Sequence, residues 1–277
     1  MPVYKNATLI RPRRPEDSLE DDLARVLGSI AARADAADRD ETGLDIDLDL
    51  LREAGLFAAI HPRQVGGLGL GFEAGAAVRT ATLLRRLGRA KPSVARLIDG
   101  QNNALQLIML YGDYFQQDEA FSAARQGALF GVWGADSDKP VTIEKTAAGA
   151  RLSGAKRFAS GLGLVDRAIV TATTPDGPQM MLLWGSDSAR MDVSTWQTAG
   201  MRATVSGSYD FDGLSVSGEA YLGKPGDYMR EPYFEGGVWR YAAAQVGGME
   251  AIAEVARNAV SGTGDPHQLR RAAELAI

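Results

Sequence analysis

Cysteine is absent from all 277 residues, which excludes a disulfide framework, a thiolate nucleophile and any Cys-ligated zinc. Histidine is nearly absent: His61 and His267 stand far apart in the chain, too few for a His-rich metal site or a relay that activates a serine. Redox chemistry in such a chain has to come from a borrowed cofactor. No apolar run approaches the roughly 20 residues that a bilayer-spanning helix needs, and residues 1–14 lack the apolar core of a signal peptide. A soluble, cytoplasmic protein is expected. Charge of one sign is also in short supply: the net charge is −5 and the 30 Lys and Arg are scattered, so no basic field exists to capture nucleic acid.

What is present is apolar periodicity, carried by a sequence that is 45% hydrophobic, enough for two or three layers of core. Leu23, Leu27, Ile30 and Ala34 recur at helical spacing behind Ser18, which predicts an amphipathic helix capped by Ser18 and ending near Asp38. A second helix is expected over 47–54, stopped by Gly55, followed by a loop over 56–71. Helical spacing resumes at Val78, Ala81, Leu84 and Leu87, closed by Gly88. It continues from Pro92 through Val94, Leu97, Ile98, Leu105 and Ile108 to Gly112, with a short helix over 119–125.

Near Gly127 the period changes from about 3.6 to 2. Short β-branched or apolar runs at 129–133, 142–146, 150–153, 168–174 and 180–184 read as strands, and Tyr209 to Val216 reads as a hairpin turning at Asp212-Gly213. Helix returns after Pro232, with a seam of Ala242, Val246, Met249, Ala253, Ala256 and Val260 ended by Gly262 and Gly264. Asp265 then caps a helix that runs to Ile277 without a stop signal, so the chain is expected to break off inside a helical domain. The order is α+β segregation: an N-terminal helical domain (1–126), a central antiparallel β-barrel-like domain (127–231) and the start of a C-terminal helical bundle (232–277).

Several short motifs in that order resemble the acyl-CoA dehydrogenases and their flavin-dependent oxygenase relatives. Leu51-Arg52-Glu53-Ala54-Gly55-Leu56, then His61-Pro62 and Gly66-Gly67-Leu68-Gly69, resemble the family's Leu-x-x-x-Gly-Leu … Pro-x-x-x-Gly-Gly-x-Gly segment. Gly154-Ala155-Lys156-Arg157-Phe158-Ala159-Ser160-Gly161 resembles its Gly-x-Lys-x-aromatic-x-Ser/Thr strand, and Gly200-Met201-Arg202-Ala203-Thr204-Val205-Ser206 the segment that closes the β-domain. The resemblance implies an FAD-dependent oxidoreductase and flavoprotein of fatty acid metabolism, a homo-oligomer (dimer or tetramer) acting on an acyl-CoA or acyl-carrier thioester. The oxygenase branch is the alternative, with reduced flavin and oxygen replacing dehydrogenation, and a non-catalytic scaffold is a third reading.

Carried over position by position, the resemblance places flavin contacts at Phe130, Val132 and Trp133 on the first strand and at Phe158 and Ser160 on the Gly-x-Lys strand. Ser137 is expected to reach the pyrophosphate. Phe158 would cover the isoalloxazine and the Ser160 hydroxyl would bond near N5, and two-residue alternation puts both on one face. The family's Thr-Glu-Pro-x-x-Gly-Ser-Asp is here Trp133-Gly134-Ala135-Asp136-Ser137-Asp138, with Trp133 in place of a small hydroxyl residue. The Glu that serves the family as base has no match, since Trp239 precedes the matched Arg240; the catalytic residue is unassigned.

Other features read as structural. Gly69-x-Gly71-x-x-Ala74 shapes a turn rather than a dinucleotide fingerprint, because Pro62 spoils the strand that should lead into it. His61 and His267 read as solvated or locally hydrogen-bonded, the acidic run 35–41 as a solvated helix end, and Asp45, Asp47 and Asp49 lack the Gly turn and closing Glu of a calcium loop.

Overall fold

The structure is a computed structural model that describes residues 16–71, 73, 75–146, 149–260 and 265–274. The expectations for residues 1–14, Ala74, Gly262, Gly264 and Ile277 lie outside the described residues.

Leu23, Val26 and Ile30 are buried on one face of α1 (Glu16–Ala32), as the spacing predicts. The helix begins before Ser18, so Ser18 lies inside it, and a break at Arg33 separates off α2 (Ala34–Asp38). In α3 (Asp45–Glu53), Leu48 and Leu51 enter the core together with Asp47. That carboxylate accepts a hydrogen bond from Lys91 Nζ at 2.5 Å and is ion-paired with Arg33. Gly55 takes the left-handed conformation at φ 78°, but the chain then makes another helical turn, α4 (Leu56–Ala59), where a loop was expected. The apolar Leu56, Phe57 and Ala59 are all buried there, and tertiary burial explains the difference.

Gly88 does not stop α5 (Ala77–Ala90). It lies inside the helix because the helix packs there against a backbone: a Cβ on Gly88 would strike the carbonyl of Ala244, and one on Gly247 that of Arg85. Both glycines serve a close helix crossing between α5 and α8 (Tyr233–Val260). α6 (Pro92–Tyr111) begins with Pro in its first turn and ends at Gly112, as expected. α7 (Tyr114–Arg125) starts well before Glu119, because Asp113 and Gln116 form a reciprocal capping box.

Among its described residues the β region has ten short strands: β1 (Phe130–Trp133), β2 (Thr142–Thr146), β3 (Gly149–Ser153), β4 (Ala155–Ala159), β5 (Arg167–Ala172), β6 (Gln179–Trp184), β7 (Met191–Asp192), β8 (Gly207–Asp210), β9 (Ser215–Val216) and β10 (Tyr221–Leu222). Among the described residues these form three sheets, ordered β1-β5-β6-β10, β2-β3-β9 and β4-β8-β7, and no closed barrel. Pairing is antiparallel except that β1 runs parallel to β5. The apolar centre is β5, buried along its whole length.

The expected hairpin over Tyr209 to Val216 is a crossover instead, with β8 and β9 in different sheets. The turn at Asp212-Gly213 carries the chain between them, and the Asp212 carboxylate anchors it by accepting from Gly154 N at 2.7 Å and Lys139 Nζ at 2.7 Å. α8 returns to pack on α5 and α6, and α9 (Pro266–Glu274) follows it, with Asp265 accepting from His267 N at 2.9 Å. The α+β architecture thus holds, with helices from both ends of the chain sharing one layer beside the sheets. No helix among the described residues is long and apolar enough to cross a membrane.

Candidate functional site

Most of α6 is buried, yet one face carries polar side chains at helical spacing: Arg96, Asp99, Asn103 and Gln106. These four form the floor of a cavity of about 360 Å³, within the range of about 300–1,000 Å³ usual for small-molecule sites. One wall comes from the β region, with Val132, Gly134, Ala135 and Phe158; the other comes from the start of α8 and the turn before it, with Tyr228, Phe234 and Tyr241. Tyr228 and Phe234 meet edge to face, with ring centroids 5.7 Å apart, and the Tyr228 hydroxyl lies where a side chain on Gly134 would have to go.

Phe158 owes its place to a distortion of β4. The register between β4 and β8 shifts between Lys156 and Ala159, a bulge, and Phe158 adopts φ 53°, a conformation that a bulky side chain rarely accepts. The bulge breaks the two-residue alternation. Phe158 turns into the cavity and stays 55% exposed, while Ser160 follows the end of the strand, and its hydroxyl oxygen accepts from Ser206 Oγ at 3.0 Å. β4 ends at Ala159, between Phe158 and Ser160, so regular strand alternation does not by itself set their faces.

The other residues nominated from the sequence divide in the same way. Val132 lines the cavity. Phe130 and Trp133 are fully buried behind it; the Trp133 indole packs at 5.0 Å on Tyr209 and donates from Nε1 to the carbonyl of Ser160 at 3.1 Å. Ser137 is tied into its own loop, with Oγ donating to the carbonyl of Lys139 at 3.1 Å. That loop is held by Lys156, whose buried Nζ donates to Asp136 at 2.6 Å, Gly134 O at 3.1 Å and Thr171 Oγ1 at 2.9 Å. Burial lowers the Lys156 pKa, with Asp136 opposing the shift. His61 departs from expectation: it is completely buried against Phe121, with neither ring nitrogen hydrogen-bonded. Burial, and secondarily Arg125, lowers its pKa to about 4.

The polar floor is a single network. Asp99 accepts from Arg96 Nη1 and from Asn103 Nδ2, each at 3.0 Å. The Asn103 carbonyl in turn accepts from Arg240 Nε at 2.8 Å, and Arg240 Nη2 donates to Gln106 Oε1 at 2.7 Å. Burial pushes the Asp99 pKa up against the pull of Arg96 and Arg240, and burial brings Arg240 down to about 10. Arg96, Asp99, Asn103 and Gln106 belong to no motif in the sequence, although a polar stripe at three- and four-residue spacing on an otherwise apolar helix marks them. Among the described residues no group of three or more His, Asp or Glu is placed to hold a metal.

Helical layer, split sheets and the cavity between them define a class. Residues 17–127 match the family described as acyl-CoA dehydrogenase, N-terminal domain, and the chain has the acyl-CoA dehydrogenase fold seen in the solved structures it resembles. In sequence it is similar to dibenzothiophene monooxygenase of Rhodococcus qingshengii, 27% identical over 233 residues, which cover 78% of this chain and 55% of the relative. It is also 26% identical over 227 residues to the probable FMNH2-dependent monooxygenase SfnC of Pseudomonas putida, covering 80% of this chain and 55% of that protein. The chain spans about half the length of the curated relatives it matches. In structure it resembles FMN-bound TdsC from Paenibacillus sp. A11-2, with a TM-score of 0.76 at 21% identity over 94% of this chain and 72% of that one. The TM-score is also 0.76 to butyryl-CoA dehydrogenase from Megasphaera elsdenii, at 17% identity over 96% and 76% of the two chains. At these identities the structural likeness establishes the fold.

Proposed function

We propose that the chain is the flavin-binding portion of a reduced-flavin-dependent monooxygenase. The observation that carries this is the cavity's chemistry: among the described lining residues Asp99 is the only carboxylate, and it is buried beneath Arg96 and Asn103. Dehydrogenation of an acyl thioester needs a carboxylate free to remove a proton from carbon, whereas Asp99 is already engaged by Arg96 and Asn103. The monooxygenase names of the relatives in sequence favour the same choice. Acyl-CoA dehydrogenation, the first of the two chemistries the motifs imply, and an acyl-CoA or acyl-carrier substrate are therefore set aside.

The lining suits a flavin. Phe158 and Val132 present apolar surface on which a planar ring can lie, and the strained backbone at Phe158 fixes that surface in advance. We assign the ring contacts to Val132 and Phe158, a hydrogen bond to the Ser160 hydroxyl, and a supporting role from behind to Phe130 and Trp133. Ser137 on the Lys156-held loop is assigned to the phosphate end. The flavin is taken to be FMN rather than the FAD first expected, since FMN is the form named for the TdsC structure and, reduced, for SfnC. When bound and reduced, it supplies the electrons for placing one atom of dioxygen on the substrate. The chain's own part is to hold the ring, exclude water with Tyr228, Phe234 and Tyr241, and orient the substrate over the polar floor. Val238, Met249, Ile252 and Val255 are exposed along α8, and self-association is proposed to cover them.

Titration with FMN and FAD, followed by flavin fluorescence, tests cofactor choice. Chemistry is tested by supplying reduced FMN and oxygen with indole or dibenzothiophene, and in a parallel anaerobic sample by adding butyryl-CoA to the flavin-loaded protein. An oxygenated product supports the proposal; bleaching of bound flavin by butyryl-CoA would restore the dehydrogenase reading.

A further inference from the structure

The cavity contains two guanidinium groups and one carboxylate. Arg96 contacts that carboxylate directly. Arg240 does not: although only 3% exposed, its hydrogen bonds go to the amide oxygens of Asn103 and Gln106, which are neutral acceptors. A buried charge is costly unless a counter-charge balances it, and here one positive charge is left over. The lowered pKa of Arg240 and the raised pKa of Asp99 both have burial as their leading cause, so neither group is well solvated by water. Everything above the floor is apolar or aromatic: Phe158, Tyr228, Phe234 and Leu107.

We propose that the substrate of this cavity carries one negative charge, a carboxylate or a sulfur oxyanion, held at Arg96 and Arg240, with an apolar or aromatic body against Tyr228 and Phe234. The inference rests on reading the cavity as the substrate chamber. It adds a requirement that an aromatic pocket alone would not impose, because an uncharged ligand leaves the excess charge of the floor uncompensated. Asn103 acts as a positioning residue, its amide oxygen accepting from Arg240 and its amide nitrogen donating to Asp99, which holds both charges at a fixed separation.

Benzoate and benzamide share a ring and differ in head-group charge, which makes them suitable probes for calorimetric titration of the protein with and without FMN. Benzoate is expected to bind about tenfold or more tightly than benzamide, the equivalent of one hydrogen bond to a charged group. Arg96→Gln should remove that preference. Equal binding of the two probes to the unmodified protein overturns the proposal, and this comparison decides the matter even if the variant fails to fold. A second arm compares FMN with riboflavin: weaker FMN binding in Arg96→Gln, with riboflavin unchanged, would assign the cations to the flavin phosphate and also overturn it. Flavin binding without benzoate preference sinks this inference alone, whereas benzoate preference without flavin binding sinks the monooxygenase reading alone.

Discussion

The indole Nε1 of Trp133 donates to the carbonyl oxygen of Ser160 at 3.1 Å, joining the end of β1 to the turn that follows the bulged strand. Phe158 therefore sits between two fixed points, the Lys156 contacts on one side and this bond on the other. Trp133→Phe deletes the donor and part of the packing on Tyr209. A loss of about 1–3 kcal/mol in urea unfolding is expected, with weaker FMN binding. Unchanged stability and unchanged FMN affinity would show that the bond does not hold the turn.

Asp47 is 1% exposed and lies against Lys91 and Arg33. Asp47→Asn removes the counter-charge of a buried lysine while keeping the shape, and a loss of about 3–5 kcal/mol is expected. Chemical denaturation measures it; a loss below about 1 kcal/mol would mean that Lys91 finds water or another partner.

His61 ties stability to pH. Its folded pKa of about 4 lies below the ordinary value of 6.5, so the folded state favours neutral imidazole. Its contribution is complete above pH 6.5 and is lost as the pH falls from there toward 4, by about 2–3 kcal/mol at pH 4.5. Other carboxylates also titrate in that range, so the informative quantity is the difference between wild type and His61→Leu. The melting temperature of the variant is expected to fall less between pH 7.5 and 4.5; parallel curves would exclude His61 as a contributor.

Gly247 and Gly28 are both helical glycines with opposite expected responses. An alanine at Gly247 meets the Arg85 backbone, whereas one at Gly28 meets nothing within 4 Å. Gly247→Ala is expected to cost about 1–3 kcal/mol or more, and Gly28→Ala to stabilise by about 0.5–1 kcal/mol. Thermal melts of the two variants moving the same way would contradict the packing assigned to the α5–α8 crossing.

Much of the fold is legible before any coordinates, because burial follows period: Leu84 and Leu87 on α5 and Val94 through Ile108 on α6 lie in the core where spacing places them. What escapes is set by contacts distant in sequence. Gly88 reads as a stop signal until Ala244 is brought against it, and Asp212-Gly213 reads as a hairpin until its two flanking strands join different sheets. In the site, the motif around Lys156 marks Phe158, but the bulge that aims its ring depends on pairing with β8. Arg240 could be matched, while its use became visible only beside Asn103.

The α5–α8 contact also bears on how the protein reaches its native state. Arg89 and Glu254, an ion pair across that crossing, are 165 residues apart in the chain, and every strand lies between them. Closing so long a loop carries a large entropic cost that only the completed contact repays, and chains dominated by such contacts fold slowly. The helical layer is therefore expected to close late, after the sheets have drawn the two chain ends together. Until then the face of α5 bearing Gly88 stays open to solvent on the nascent chain.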